Sequence, residues 1–219
     1  MTGATYGGLK VLCETQARQG FGSRCLVTRP GLIVGPHDPT GRFTWWVQRL
    51  QRGGEVLAPG DPQAQVQFID ARDAAAWMLK QAQAQTTGTF NLTGPARPLT
   101  MAEMLDTLRG CLQPGATLRW VEENFLLNYP VRPWTELPVW LPRESAGLHQ
   151  MNIAAALATG LVCRPLAETL LDTASWVNQT GAVPSALRPQ TLGAAAPEVG
   201  LDGKKEAALL AACFGSAGG

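Results

Sequence analysis

Tyr6-Gly7-Gly8-Leu9-Lys10-Val11-Leu12-Cys13-Glu14 opens the stretch whose reading decides the fold. Helix formers fill most of residues 6–19, Leu9, Val11, Leu12 and Cys13 are candidate buried positions, and Gly20 stops the run, so a helix is predicted. Directly behind it, Arg24-Cys25-Leu26-Val27-Thr28-Arg29 is short, rich in buried-strand residues and closed by Pro30-Gly31, the pattern of a strand entering a loop. Leu32-Ile33-Val34 then meets Gly35-Pro36-His37-Asp38-Pro39-Thr40-Gly41, a run of turn formers, and residues 43–52 read as a second helix. Helix, strand, loop and helix in that order begin an alternating α/β chain.

The alternation continues outward. Residues 56–58 and 66–69 read as short strands around the turn Pro59-Gly60-Asp61-Pro62, and Asp70 or Asp73 can cap a helix over 74–85 by accepting its free N–H groups. A strand over 89–92 follows, then a loop, then a helix over 101–112 with Thr100 as cap and Glu103 at the capping-box position. Beyond a strand-like run near Leu118 come a Trp/Pro-rich loop and helices near 153–157, 166–177 and 203–214. Residues 181–200 are Ala/Pro-rich and read as a surface connection, and no internal repeat is found.

Composition limits the function classes. With 219 residues, 45% of them hydrophobic, and a net charge of +1, the chain can bury a sizeable core, and its scattered basic residues give no footprint for nucleic acid. Five cysteines (Cys13, Cys25, Cys111, Cys163, Cys213) without a CxxC pattern point away from disulfide frameworks and zinc ribbons and toward the cytoplasm. His37 and His149 are the only histidines, so no metal site is expected. No apolar run approaches the roughly 18 residues of a membrane span, so no membrane partner is expected.

Tyr6 and Lys10 stand four apart on the first predicted helix and therefore project from one face. A neighbouring ammonium favours a phenolate, so Lys10 makes Tyr6 a usable acid–base group beside a nicotinamide. The competing reading is an exposed helix pair. Trp134 and Trp140 are read mainly as packing anchors between prolines, with an apolar pocket as the alternative.

Four segments in order carry a resemblance. The stretch from Tyr6 to Glu14, then Thr28-Arg29-Pro30-Gly31-Leu32-Ile33-Val34-Gly35-Pro36, Gln67-Phe68-Ile69-Asp70-Ala71-Arg72-Asp73-Ala74-Ala75 and Gly88-Thr89-Phe90-Asn91-Leu92-Thr93-Gly94 resemble the NAD-dependent epimerase/dehydratase family of the extended short-chain dehydrogenase/reductase superfamily. The resemblance implies an α/β fold: the C-terminal part of a Rossmann-type doubly wound parallel sheet plus a smaller α/β substrate-binding lobe. It divides the chain into 1–35, a remnant of the dinucleotide-binding domain, 36–180, the remainder with the substrate lobe, and 181–219, a connection and C-terminal helix.

The same resemblance makes Tyr6 the acid–base and Lys10 its modulator and ribose ligand, both touching the cofactor. It assigns Pro30, Gly31, Leu32 and Ile33 to the nicotinamide of NAD or NADP, without discriminating between the two. His37, Arg42 and Phe43 fall in the loop that closes over substrate, and Arg72 either faces an anionic substrate or pairs with Asp70 or Asp73. A small-molecule substrate, a carbonyl, an alcohol or a sugar nucleotide, and a homodimer through the Tyr6 helix are further implications.

Two parts of the family pattern are absent. A dinucleotide fold needs a glycine-rich turn after a strand and before a helix, whereas Gly20-Phe21-Gly22-Ser23-Arg24-Cys25 follows a helix and precedes a strand. It reads as a turn. The family's Ser/Thr partner of the tyrosine has no counterpart in Thr2 or Thr5. The sequence therefore predicts either a truncated, catalytically incomplete enzyme or a non-catalytic relative or decayed copy, with a strand edge and apolar surface left exposed.

Overall fold

A computed structural model of the chain describes residues 3–181 and 199–215. Most of the expected connection over 181–200 lies outside the described residues.

The first helix, α1 (Gly3–Phe21), runs past Gly20 before Gly22, at φ 58°, turns the chain through a 3-10 turn into β1 (Leu26–Pro30). β1 and β2 (Leu32–Val34) are one extended run broken at Gly31. β1 pairs in parallel with β6 (Gly88–Leu92), and β2 in parallel with β5 (Phe68–Asp70). A third parallel pair joins β3 (Glu55–Pro59) to β8 (Thr117–Val121). Parallel pairs require crossovers, and α2 (Arg42–Gln51), α3 (Ala71–Gln83) and α4 (Met101–Leu112) stand between the strands in sequence. The α/β class is thus as expected.

Local chemistry sets several boundaries. Asp70 accepts the Arg72 N–H and starts α3 three residues before the expected position, while Gln85, read as helical, lies beyond it at φ 53°. Thr100 and Glu103 form the complete capping box that starts α4. The single strand expected over 66–69 is instead two: β4 (Gln65–Val66) pairs antiparallel with β7 (Leu99–Thr100), and Phe68 begins β5. The reason is Gln67, whose N–H donates to the His149 ring (3.0 Å). Residues α5 (Glu123–Asn128), not anticipated, α6 (Ala154–Ala158), α7 (Leu166–Thr180) and α8 (Gly203–Phe214) complete the chain.

The main core gathers Phe43, Trp46 and Leu50 of α2, Leu57 of β3, Met104, Leu105 and Leu108 of α4, and Leu170 of α7. A smaller core joins Ile69, Trp77, Phe90, Leu92, Ala156 and Leu161. α1 belongs to neither. Leu9, Val11, Leu12 and Cys13, expected to be buried, are exposed, because within the described residues the helix meets the sheet mainly through Glu14 and Arg18. Glu14 takes two 2.7 Å bonds from Arg29, and Arg18 donates to Thr89 (2.9 Å). β1 has no strand partner but β6 among the described residues.

Candidate functional site

Tyr6 and Lys10 share one face of α1, as their spacing requires, with the Lys10 ammonium 5.5 Å from the centre of the Tyr6 ring. Both are exposed; Tyr6 keeps 51% of its surface. Nothing in the described chain shields them from water.

Pro30, Gly31, Leu32 and Ile33 sit where the run of β1 into β2 changes partners, at the carboxyl end of the β1–β6 pair, of which Pro30 is the last member. That is the edge at which open α/β sheets bind ligands. Gly31 is required there: a Cβ would come within 2.5 Å of the Thr93 hydroxyl. That hydroxyl is buried and has no partner among the described residues. Ile33, 40% exposed, turns to solvent.

The following loop is built by close approaches. Gly35, at φ 114°, leaves room for the Asp70 carboxylate, 3.3 Å from where its Cβ would stand. Asp38, nearly buried, accepts from the Thr40 N–H (2.7 Å) and hydroxyl (3.1 Å), and burial pushes its carboxyl up against the pull of Thr40 and Arg42. His37 takes a left-handed conformation (φ 67°) with its ring 5.3 Å from that of Trp176. Phe43 is corrected: it is fully buried against Phe68 in the core, because it lies on the inward face of α2, and cannot touch substrate.

Arg42 differs from the other arginines named for the site. Its Nε donates to the Trp134 carbonyl (3.2 Å) and its guanidinium lies 5.3 Å over the Trp134 ring. Burial pushes its pKa down, with Asp38 pulling the other way. Among the described residues neither Nη group has a hydrogen bond or ion pair. Buried charge ordinarily comes paired, so Arg42 holds two half-buried donors open to an anion. The helix it begins has no side-chain cap, and the Thr44 hydroxyl in its first turn is buried without a partner among the described residues.

Arg72 is occupied instead. It forks onto Asp70 (2.9 and 2.7 Å) and reaches Asp172 (2.5 Å). Burial would raise Asp70, but Arg72 and the Thr169 hydroxyl hold it below the usual carboxylate range. Arg164 closes Asp73 in the same way (2.8 Å). Asp70, Asp73, Arg164 and Thr169 of this network line a cavity of about 520 Å³ with Phe68, Ile69 and Cys163, and no residue expected in the site, Arg72 included, lines it. Trp140 is a buried anchor, whereas Trp134 clamps Arg42, a role its sequence context does not signal. The described residues contain no group of three or more His, Cys, Asp or Glu able to hold a metal, and no helix long and apolar enough to cross a membrane.

Residues 9–93 match the family model described as the NAD dependent epimerase/dehydratase family, a span that includes Lys10 and begins three residues after Tyr6. No curated protein matches the chain. Among solved structures it resembles UDP-N-acetylglucosamine 4-epimerase from Methanobrevibacter ruminantium in complex with UDP-N-acetylmuramic acid, at TM-score 0.57 and 15% identity, covering 80% of this chain and 54% of that one. UDP-glucose 4-epimerase from Thermus thermophilus, in complex with NAD, gives 0.55 and 16%, covering 80% and 53%. A GDP-L-fucose synthetase from Naegleria fowleri bound to NADP gives 0.54 and 14%, covering 82% and 56%. The chain thus spans about half the length of the structures it matches, and shares their Rossmann-type fold over that half.

Proposed function

We propose that the chain, whose residues 9–93 match the model of the NAD dependent epimerase/dehydratase family, is a member of that family and contributes the acid–base and substrate side of an NAD(P)-dependent oxidoreductase or epimerase. The substrate class is a small alcohol or carbonyl compound carrying an anionic group, of which a sugar nucleotide is the best fit. The observation that supports this most is Arg42, a half-buried guanidinium whose two Nη groups are open. A diphosphate offers paired oxygens to such a fork. One of the structurally similar chains is an epimerase solved with a UDP-sugar derivative.

Pro30, Gly31, Leu32 and Ile33 fit the nicotinamide end of a dinucleotide: Gly31 offers bare backbone and Ile33 an exposed apolar face. The pyrophosphate end requires a glycine-rich turn between strand and helix, which this sequence does not contain, so residues from elsewhere hold it. Bound there, the dinucleotide supplies hydride acceptance and return. Tyr6 takes the proton from the substrate hydroxyl oxygen and gives it back, Lys10 stabilises the phenolate and reaches the ribose hydroxyls, and Arg42 orients the anionic end. His37 contributes from the loop above. The exposed apolar residues of α1 pair two such chains as a homodimer, and five unbonded cysteines suit a cytoplasmic protein.

Titration with UDP-glucose tests the substrate side: Arg42→Met lowers affinity roughly 10- to 100-fold and Arg42→Lys does not restore it. In protein supplied with the pyrophosphate-binding half, Tyr6→Phe lowers turnover by about 10²–10⁴ while dinucleotide binding stays. Full turnover in Tyr6→Phe defeats the acid–base assignment. A second reading is a non-catalytic relative that binds the anion alone, for which the open Nη groups of Arg42 suffice. It predicts binding of the sugar nucleotide with no response to dinucleotide in any assembly.

A further inference from the structure

Among the described residues, four non-glycine positions carry left-handed backbone: His37, Gln85, Trp134 and Val139. Two of the four lie in the 131–140 loop beside His149, which bonds the Val139 carbonyl and has its ring against that of Trp134. Such backbone is strained and persists only where neighbours over-determine it. The neighbour here is a buried imidazole, 3% exposed. Its Nδ1 accepts the Gln67 N–H at 3.0 Å, so the neutral ring carries its proton on Nε2, which donates to the Val139 carbonyl at 2.7 Å. The ring also lies 5.8 Å from that of Trp134.

We infer that His149 is a positioning residue for Arg42: its neutral ring keeps the 131–140 loop in the strained form that sets Trp134 against the Arg42 guanidinium, and protonation lets that part of the loop go. The connection is continuous. Val139 hangs on Nε2, Trp134 donates its N–H to the neighbouring Trp140 carbonyl (3.1 Å), and the Trp134 carbonyl takes the Arg42 Nε. Protonated Nδ1 would point a donor at the Gln67 donor and bury a charge. Gln67 is itself fixed, exchanging two side-chain bonds with the Met151 backbone (2.9 and 3.1 Å), so it cannot turn away to accept that proton.

The surrounding charges leave the ring uncompensated. Arg42 reaches Trp134 from α2, Glu136 of the loop is closed by Lys205 of α8 at 2.8 Å, and Arg143 and Glu144 lie in the turn that ends at His149. Among the described residues no carboxylate pairs with the ring, and burial sets its pKa below the ordinary histidine value, partly offset by the two backbone bonds. The Trp46 indole N–H to the Pro138 carbonyl and the Lys205 bridge anchor the loop independently. The release is therefore confined to Trp134 and Val139 and does not unfold the lobe.

The substrate consequence rests on the reading of Arg42 given above; the loop movement does not. The test follows three quantities in the full chain from about pH 8 to about pH 5. They are ¹⁵N-histidine spectra, with His37→Gln assigning the only other histidine, amide exchange of 131–140 corrected for intrinsic rate, and affinity for sulfate, which does not titrate in this range. Exchange at Trp134 and Val139 should speed about tenfold, the loss of one buried hydrogen bond, with the midpoint of His149, while α4 stays protected. Sulfate affinity should fall with the same midpoint. His149→Gln, whose carboxamide offers an acceptor and a donor without titrating, should flatten both responses.

An exchange step absent while His149 titrates, a separate midpoint, or the same step in His149→Gln overturns the inference. If His149→Gln does not fold, coincidence or separation of the wild-type midpoints decides. An exchange step with no sulfate bound at any pH retains the loop device and defeats Arg42 as the anion anchor.

Discussion

Glu206 is 4% exposed, and its partners lie far away in sequence: Arg49 gives its Nε at 2.7 Å and Leu57 its backbone N–H at 3.0 Å. Arg49 also donates from Nη1 to the Gly53 carbonyl and from Nη2 to the Glu55 carbonyl. Every charge in this pair is answered, so removing one member strands the other: Glu206→Ala should cost about 3–5 kcal/mol in urea unfolding, and Glu206→Leu combined with Arg49→Met should recover most of it. A double variant as unstable as the single one would show that the pair is not what binds α8 to α2. His149 gives a pH-dependent counterpart. Its folded pKa lies below the unfolded one, so its contribution is complete above the ordinary histidine value and is lost as pH falls through the lower folded value. Acid-limb stability of His149→Gln should decline less steeply than that of the wild type, and parallel curves would refute this. Neither pairing was legible in the sequence. Arg49 and Glu206 stand 157 residues apart, and His149 finds Gln67 across 82, distances over which no local pattern operates.

Elements were legible where their determinants are local. The Thr100–Glu103 box and the Asp70 cap lie within three residues of the helices they start, so their chemistry could be read directly. Thr100→Ala should lower stability by about 1 kcal/mol without moving any strand, and no loss in chemical denaturation would remove the cap from the account of α4. The break at Gly31 is different. The sequence places a loop there, but only the parallel pairing of β1 with β6 explains why a larger residue is excluded, since it sets Thr93 beside Gly31 and the Thr93 hydroxyl fills the space. Gly31→Ala should cost on the order of 1–3 kcal/mol, and Thr93→Ala added to it should recover part. Strict additivity of the two changes would refute the contact. Phe43 failed as a site residue for a related reason: the loop around it was recognised, but which face of α2 turns inward depends on Phe68 and the whole core.

At the scale of the molecule, α1 and the open edge of β1 belong to one surface. A parallel sheet is ordinarily covered on both faces and continued by further strands, yet β1 has one strand neighbour among the described residues, and α1 is held by Glu14 and Arg18 while Leu12 and Phe21 stay 60% and 61% exposed. Exposed ion pairs of this kind are screened by water and worth little, so α1 cannot share the cooperative stability of the core. Its amides should exchange orders of magnitude faster than those of α4, whose Met104, Leu105 and Leu108 are fully buried. The same apolar surface should make the isolated chain associate: sedimentation velocity should show dimers or larger species, and Leu9→Glu with Leu12→Glu should return it to monomer while leaving the melting of the core unchanged. Added salt should loosen α1 by screening Glu14 from Arg29, yet should not dissolve the association, because apolar burial is insensitive to screening. A monomeric wild type whose α1 is as protected as α4 would mean that the helix is stable by itself, and Tyr6 and Lys10 would then stand on a rigid platform without any second unit to hold it.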